Sequence, residues 1–415
     1  MRECDVLVAG GGSAGLAAAI AAARFGARTL LVERSGSLGG MAPAALVHSI
    51  CGLYQLPAGP ESTSANDGFS QEFSRRLIAI GGAHGPVRMG RVDVLLQQPT
   101  AFARLADVLV RETPNLEVLF HTEIVEADLH GRTKLFSRGS ALEIQAGALV
   151  DATGDASLAA LCGECFEMES PERLQRPAFI FSMQAVASDA VDDDRRLKIA
   201  AKLATAVREQ RLPVGALGTA LRASGRQGEA FVTIDLAGPV DYDPTTPSCL
   251  SALEIEGREL ASVVAAFLKA EAGGFGESFI SALPAQVGIR ESRRILGRYR
   301  LEAADLQEGA RFDDAIAKAT WPMELRENNR GPRLRFPHRG EPCDIPLRAL
   351  RFRDSDRFFA AGRCISCSHE AQASIRVIGT CLATGEAAGF AAALQTLTGT
   401  CEAGAVRVAQ EQVRR

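Results

Sequence analysis

Cys4-Asp-Val-Leu-Val-Ala9 runs into Gly10-Gly11-Gly12-Ser13-Ala14-Gly15 and then into the alanine-rich stretch Leu16 to Phe25. The first segment is aliphatic and β-branched, as a buried parallel strand is. Alanine and leucine favour helix in the third, and Gly26 stands where a helix-ending glycine would. Thr29-Leu-Leu-Val32 reads as a second strand, with Glu33 and Arg34 at its end. The pattern is Gly-x-Gly-x-x-Gly set between strand and helix and closed by a second strand and an acid. Each glycine has a physical task. Gly10 permits the tight turn, Gly12 lets a pyrophosphate approach the backbone, and Gly15 lets the helix pack close to the strand. The helix N-terminus at Ser13 and Ala14 presents free N–H groups and partial positive charge to phosphates. Glu33 is placed to accept ribose hydroxyls. The stretch predicts a bound dinucleotide; the bland alternative is a tight turn without ligand.

The rest of the chain sets bounds. A length of 415 residues predicts two intimately joined domains. A net charge of −4 supplies no basic field for phosphate, so neither nucleic acid nor a membrane surface is an expected partner. The ten cysteines are scattered without zinc spacing, so reduced thiols, no metal site and a cytoplasmic location are expected. The first strand begins at Cys4, so no secretory leader is expected. The apolar stretch Val377 to Leu397 carries Glu386 and several glycines, and reads as a buried helix rather than a membrane span.

Three distant segments say which dinucleotide. Gly39-Gly40-Met41 lets the chain pass close to a cofactor. Ala148-Leu-Val-Asp151-Ala-Thr-Gly154-Asp155 is a strand entering a turn, where a backbone donor or carboxylate meets a ribityl or phosphate oxygen. Arg357-Phe-Phe-Ala-Ala-Gly362-Arg363 is another strand entering a glycine turn, ahead of the long apolar helix that begins near Arg376. Together they favour FAD over NAD. Single elements elsewhere complete a pattern: Ala361-Gly-Arg-Cys-Ile-Ser366, His369-Glu370-Ala371, Ser374-Ile-Arg376 through Gly389, Gly288-Ile-Arg290 through Gly297, and Ile345-Pro-Leu-Arg348.

On these residues the chain resembles the FAD-dependent oxidoreductases with a glutathione-reductase-like flavin domain, in the subgroup with an Ala-Gly-Arg-Cys-Ile-Ser signature. The resemblance spans nearly the whole chain and weakens between Val186 and Asp241. It implies that Gly10 to Gly15 and Glu33 hold the ADP half, and that Gly39, Gly40 and Met41 pass near the pyrophosphate. It places Gly154 and Asp155 close to the cofactor, and Gly362 and Arg363 near the ribityl-phosphate region. Ser374, Ile375 and the helix from Arg376 would meet the flavin pyrimidine edge, where a helix N-terminus stabilises the anion of the reduced ring. Cys367 departs from the small residue common at its position. No second Gly-x-Gly-x-x-Gly exists, since Gly81-Gly82, Gly215 to Gly225 and Gly273 to Gly276 lack the strand-turn-helix-acid context. A dedicated NAD(P)H domain is therefore not expected.

The fold class expected is α/β. A discontinuous Rossmann-like FAD-binding domain, with a parallel sheet and a small antiparallel meander, occupies 1–165 and 345–415. An inserted α+β substrate domain occupies 166–344, and 46–98 contributes loops near the active site. Helices are expected over Thr100–Glu112 and Ser248–Ala272. Strands are expected over Glu117–His121, Ala178–Val186 and Phe231–Leu236. The meander spans Glu123–Leu149, with turns at His130-Gly131 and Arg138-Gly139, and Gln55–Asp67 reads as an exposed loop near the active site.

His369 is the leading candidate base, because a loop position before the Arg376 helix would turn it toward the flavin ring and its pKa suits proton transfer. The alternative is a histidine that only hydrogen-bonds. Arg290 and Arg293 would share one face, one of them binding a substrate carboxylate; the alternative is an ion pair with Glu291 or Glu302. Arg376 would contact flavin or substrate. Cys364 and Cys367 have redox-dithiol spacing or are packed thiols. His48 and Cys51 line the cavity or link the flavin covalently, although a non-covalent FAD is favoured. The expected activity is substrate hydride transfer to flavin by a dehydrogenase or oxidase acting on a small molecule, with oxygen or another carrier as electron acceptor. A flavin monooxygenase and a non-enzymatic flavin- or NAD-binding partner are the alternatives. The oligomeric state is left open.

Overall fold

The aliphatic run forms β1 (Arg2–Ala9), the glycine turn leads into α1 (Ser13–Arg24), and Thr29–Val32 is β2. This computed structural model describes residues 2–57, 59–163, 166–328 and 331–414. Gly10 takes φ +91°, a conformation that side-chain-bearing residues rarely adopt. Gly12 is the N-cap of α1 and makes no side-chain cap, so the first amides of α1 are left for another partner. Further along lie α2 (Pro99–Glu112), β3 (Leu116–Leu119), β4 (Glu123–Ala127), β5 (Arg132–Ser137) and β6 (Ser140–Asp151). The second sheet comprises β7 (Ala178–Gln184), β8 (Thr219–Ala223), β9 (Glu229–Asp235) and, after α3 (Pro247–Glu271), β10 (Phe279–Ala282). The chain closes with β11 (Phe358–Ala360), α4 (His369–Ile375), α5 (Ile378–Thr398) and a last helix, Ala403–Arg414.

The main sheet has the order β3-β2-β1-β6-β5-β4, with β11 also paired to β6. The pairs β1–β2, β2–β3, β1–β6 and β6–β11 are parallel. β6 serves two neighbours on one edge: its first half pairs β5 antiparallel, and Leu149 to Asp151 pair Phe358 to Ala360. The meander turns fall at Gly131 and at Arg138-Gly139, all with positive φ. The second sheet is antiparallel, in the order β8-β9-β7-β10. The α/β class with its parallel sheet, meander and second antiparallel sheet is therefore present.

Two hydrophobic cores match these sheets. One joins the main sheet to α1 and α5, and the other joins β7 and β9 to α3. The first core also takes in Ile295, Leu301, Ile316 and Met323, which the sequence reading had assigned to the second domain. Residues 46–98 supply more than loops: Ser49–Ile50, Val92–Gln97 and Ala83–Met89 form a three-stranded sheet beside the helix Phe69–Ala79. The segment Gln55–Asp67 is irregular apart from a bridge between Tyr54 and Ser64; residue 58 of it lies outside the described residues.

The expected helix from Arg376 is two helices. Ser368 caps α4 by accepting a hydrogen bond from the Ala371 N–H. The chain then turns extended at Val377, and the Gly379 N–H donates to the Cys51 carbonyl at 2.9 Å. α5 is buried from Ile378 to Leu394. Among the described residues no single helix is long and apolar enough to cross a membrane. α5 lies against α1 with almost no side chain between them. A Cβ on Gly385 would stand 2.1 Å from the Ala14 carbonyl oxygen, and one on Gly389 would stand 2.1 Å from that of Ala18. The intervening Glu386 accepts the Phe69 N–H at 2.9 Å, at the start of the helix Phe69–Ala79.

Replacing Gly389 by Ala tests that contact. Alanine would gain up to about 1 kcal/mol in an ordinary helix, but overpacking a fixed backbone costs about 1–3 kcal/mol. Urea unfolding of Gly389→Ala is expected to show a net loss of about 1–2 kcal/mol. A more stable variant would mean that the two helices can separate freely.

Candidate active site

The carboxyl ends of β1, β2, β6 and β11 open into one cavity of about 810 Å³, lined by Ala9, Val32, Ala152 and Ala361. Ligands in parallel α/β sheets bind at that edge. At one end Glu33 is buried and its two carboxylate oxygens accept backbone amides, Gly11 N–H at 2.6 Å and Ser35 N–H at 2.7 Å. Each oxygen keeps a lone pair for a hydroxyl. Arg34 also lines this end. Next come Gly12, Ser13 and Ala14 at the start of α1. A Cβ on Gly12 would meet nothing closer than the Gly40 Cα at 3.9 Å, so it would intrude only on the cavity. Gly40 and Met41 line the opposite wall. Gly15 and Gly39 do not line the cavity. A Gly15 Cβ would collide with the Gly10 carbonyl, and Gly39 binds the Gly11 carbonyl through its N–H at 2.8 Å. These two shape the cradle without facing into it.

Gly154, Asp155, Gly362 and Arg363 all line the middle of the cavity. The Arg363 guanidinium is already engaged: it donates to the Gly154 carbonyl at 2.8 Å, to Asp155 at 2.6 Å and to the Ile289 carbonyl. It therefore ties three segments together and is not a free cation. Asp151 is wholly buried and accepts from Thr153 and the Ala159 N–H, a structural role. Free amides at a helix start, a doubly anchored carboxylate and a glycine whose missing side chain leaves room for a ligand fit a dinucleotide with a pyrophosphate.

The chain belongs to the FAD-dependent oxidoreductase family. The family model matches residues 5–414. FAD is accordingly the cofactor that the cradle serves, and the chain is an enzyme rather than a non-enzymatic nucleotide-binding partner. No curated protein matches it. Among solved structures it is similar to a geranylgeranyl bacteriochlorophyll reductase-like protein from Thermoplasma acidophilum, at 13% identity and a TM-score of 0.48 over 100% of this chain and 84% of that one. It is similar also to p-nitrophenol 4-monooxygenase from Pseudomonas putida, at 12% identity and a TM-score of 0.48 over 100% and 85%. A flavin-dependent brominase gives 11% identity and a TM-score of 0.49 over 100% and 84%.

Beyond the cradle the cavity continues into an arm. Ile180, Ala220 and Thr233 of the second sheet line it, as do Trp321 and Pro322. Besides Gly15 and Gly39, two further expected site residues are absent from the cavity lining. Ser374 and Ile375 lie inside α4, where the Ser374 hydroxyl donates to the Trp321 carbonyl at 2.5 Å; Arg376, Val377 and Ile378 line the cavity instead. The reason is the break at Val377, which shifts the helix start by two residues.

His369 does not line the cavity either. It is the first residue of α4 and is 1% exposed. Its Nδ1 meets both Glu291 oxygens, at 2.8 and 3.0 Å, and its Nε2 meets Glu327 at 3.3 Å. Burial works to lower its pKa, but the Glu291 hydrogen bond and charge outweigh it and raise the value. Arg294 completes this buried cluster by donating to Glu291.

Arg290 and Arg293 do not share a face. Arg290 lines the cavity and donates to Asp235 at 2.7 Å and to the Arg176 carbonyl at 2.6 Å. Arg293 donates to the Asp155 carbonyl at 3.0 Å and covers the Phe166 ring. Neither pairs with Glu291 or Glu302. Those acids are taken by Arg294 and Arg300.

Cys364 and Cys367 are fully buried free thiols; Cys367 donates to the Ile365 carbonyl, and Cys364 to the Asp151 and Ala361 carbonyls and to the Asp151 carboxylate at 3.9 Å. Burial pushes both thiols up, Cys367 to about 12, so they are packed rather than reactive. Burial likewise holds Cys51 at about 12. The described residues of Gln55–Asp67 contribute nothing to the cavity wall.

The imidazole that does line the cavity is His48. Its ring lies parallel to Phe231 with centroids 4.3 Å apart. Burial first, and Arg222 after it, depress its pKa to about 4, so it is neutral at physiological pH. Glu324 is the carboxylate of the arm. Burial would raise its pKa, yet Arg326 and Arg376 hold it at about 2. Among the described residues no group of three or more His, Cys, Asp or Glu is arranged to hold a metal ion.

Glu33→Ala tests the cofactor end. It removes the acceptor for two backbone amides and for a ribose, each interaction worth about 1.5–3 kcal/mol when the acceptor is charged. FAD titration of the apoprotein is expected to show affinity lowered by about 10- to 100-fold. Unchanged affinity would place the ribose elsewhere.

Proposed function

We propose that the chain is a flavin-dependent dehydrogenase or oxidase acting on a small molecule held in the arm of the cavity, with FAD bound non-covalently. The observation that carries this reading is the arm itself: a half-enclosed, largely apolar space that continues from the cofactor cradle and into which a few polar groups converge. FAD, when bound, supplies the hydride-accepting chemistry. The protein's part is to bind, orient and move one proton.

His48 fits the proton role better than His369, because His48 faces the arm and His369 is enclosed by carboxylates. The His48 Nδ1 lies 3.4 Å from the Leu46 carbonyl, so this nitrogen is the one that carries the proton and donates. The Nε2 is then left with its lone pair. A neutral imidazole in that tautomer accepts a proton from a substrate hydroxyl or amine as hydride leaves. Stacking on Phe231 fixes the ring plane. Cys51, with its thiol held protonated, serves as wall.

A monooxygenase needs the same single dinucleotide cradle and is the second reading. The two differ in electron source. In the first, substrate alone reduces the flavin in the absence of oxygen; in the second, a separate donor such as NAD(P)H is required. Anaerobic stopped-flow mixing with a panel of small alcohols, amines and hydroxy acids separates them. Flavin bleaching by a panel member supports the dehydrogenase or oxidase. Bleaching by NAD(P)H but by no panel member contradicts it.

With a reducing substrate in hand, His48→Gln is expected to keep FAD and slow reduction by about 100-fold or more. His369→Gln is expected to leave the rate within about threefold and to lower thermal stability, because it strips a partner from buried Glu291. The reverse pattern would return the proton role to His369.

A further inference from the structure

Four guanidinium groups reach the arm, on Arg222 of β8 and on Arg290, Arg326 and Arg376. Two carboxylates meet them. Asp235 takes Arg290 on one oxygen at 2.7 Å and Arg326 on the other. Glu324 takes Arg326 at 2.7 Å, and its second oxygen accepts the Trp321 indole N–H at 3.0 Å. Arg290 and Arg326 are thereby matched. Arg222 and Arg376 are not. Arg222 pairs with Phe231 in the sheet through its backbone, but its guanidinium has no hydrogen bond or ion pair to any described residue. Among the described residues the Arg376 guanidinium reaches only neutral oxygens, Gln175 Oε1 at 3.3 Å and the Glu324 carbonyl at 3.4 Å, and its buried Nε has no partner. The neighbouring positive charges make this worse. Burial lowers the Arg376 pKa to about 10, with Arg290 and Arg326 adding to the effect against Glu324. Burial also lowers Arg222, helped by Arg196 and then Arg326 against Cys51 and Glu324.

Two unmatched positive charges in a half-enclosed apolar space are costly unless something negative joins them. The phosphates of FAD belong at the start of α1, whereas Arg222 comes from the second sheet. The charge that Arg222 lacks is therefore not a phosphate of the cofactor. A guanidinium fork fits the two oxygens of a carboxylate. The rest of the arm, walled by Ile180, Ala220 and Trp321, suits an apolar remainder.

We propose that the substrate bears a carboxylate that seats against Arg222 and Arg376, so that this enzyme acts on organic acids. This rests on the reading of the arm as the substrate site, but its test needs no turnover.

Benzoate, succinate and inorganic phosphate, with benzamide as the uncharged control, are titrated into the FAD-loaded wild type, Arg222→Gln and Arg222→Lys. Binding is followed by flavin absorbance and by calorimetry. At least one carboxylate is expected to bind the wild type. Arg222→Gln should weaken it about tenfold or more, the loss of one charge-assisted contact, and Arg222→Lys should recover part of that loss. Benzamide should bind all three proteins equally weakly. No anion binding to the wild type, phosphate binding tighter than either carboxylate, or carboxylate affinity unchanged in Arg222→Gln would each overturn the proposal. The Arg222 guanidinium holds no hydrogen-bond or ion-pair partner among the described residues, so its removal strands no polar group; should Arg222→Gln nevertheless lose FAD, the comparison of Arg222→Lys with wild type decides. A carboxylate that binds but never reduces flavin would leave the anion site standing and count against the hydride reading alone.

Discussion

Everything in the cavity depends on the contact of α1 with α5. At Gly385 and Gly389 the two helices meet backbone to backbone, with room for no side-chain carbon. α1 begins directly after β1, and α5 follows soon after β11. Locking the helices together therefore brings a segment near residue 10 and a segment near residue 378 to the same edge of the sheet. Both helix starts line the one cavity. The discontinuous organisation follows: the chain leaves the first core after β6, builds the second sheet, and returns so that α5 can lie on α1.

That arrangement divides the labour of the site. The first core supplies amides and Glu33, which act on a dinucleotide through backbone geometry and one anchored acid. The second sheet supplies Arg222 and Asp235, which act through charge. Arg363 joins the halves by bonding the Gly154 carbonyl, Asp155 and the Ile289 carbonyl together. The buried His369–Glu291–Arg294 cluster does similar work behind the arm, holding α4 against the segment that carries Arg290.

Much of this was legible in the sequence, and the limits have physical causes. Gly10 to Glu33 could be read because each signal is local: strand, turn, helix and acid fall within one supersecondary unit. The buried character of α5 and the meander turns were local in the same way. The place of His369 is not legible because a histidine near a glycine turn says nothing about which face of a short helix it will occupy, and neither the Ser368 cap nor the break at Val377 has a local signal strong enough to fix that face. Arg290 pairs with Asp235, which lies 55 positions away along the chain, so no spacing rule reaches it. Arg222 was missed because it sits in a stretch read only for its glycines, and its meaning lies in what it fails to bond. His48 reads from sequence as cavity lining or as a covalent link; its tautomer becomes visible only once the Leu46 carbonyl and the Phe231 ring are in place.

A crystal structure of the holoprotein tests the account most directly. The account predicts FAD running from Glu33 past Gly12 and Ser13 to the His48 and Val377 walls, joined to no side chain by a covalent bond, with the Arg222 arm left open beyond it. A flavin bonded to His48 or Cys51, or one that fills the arm against Arg222, would contradict it.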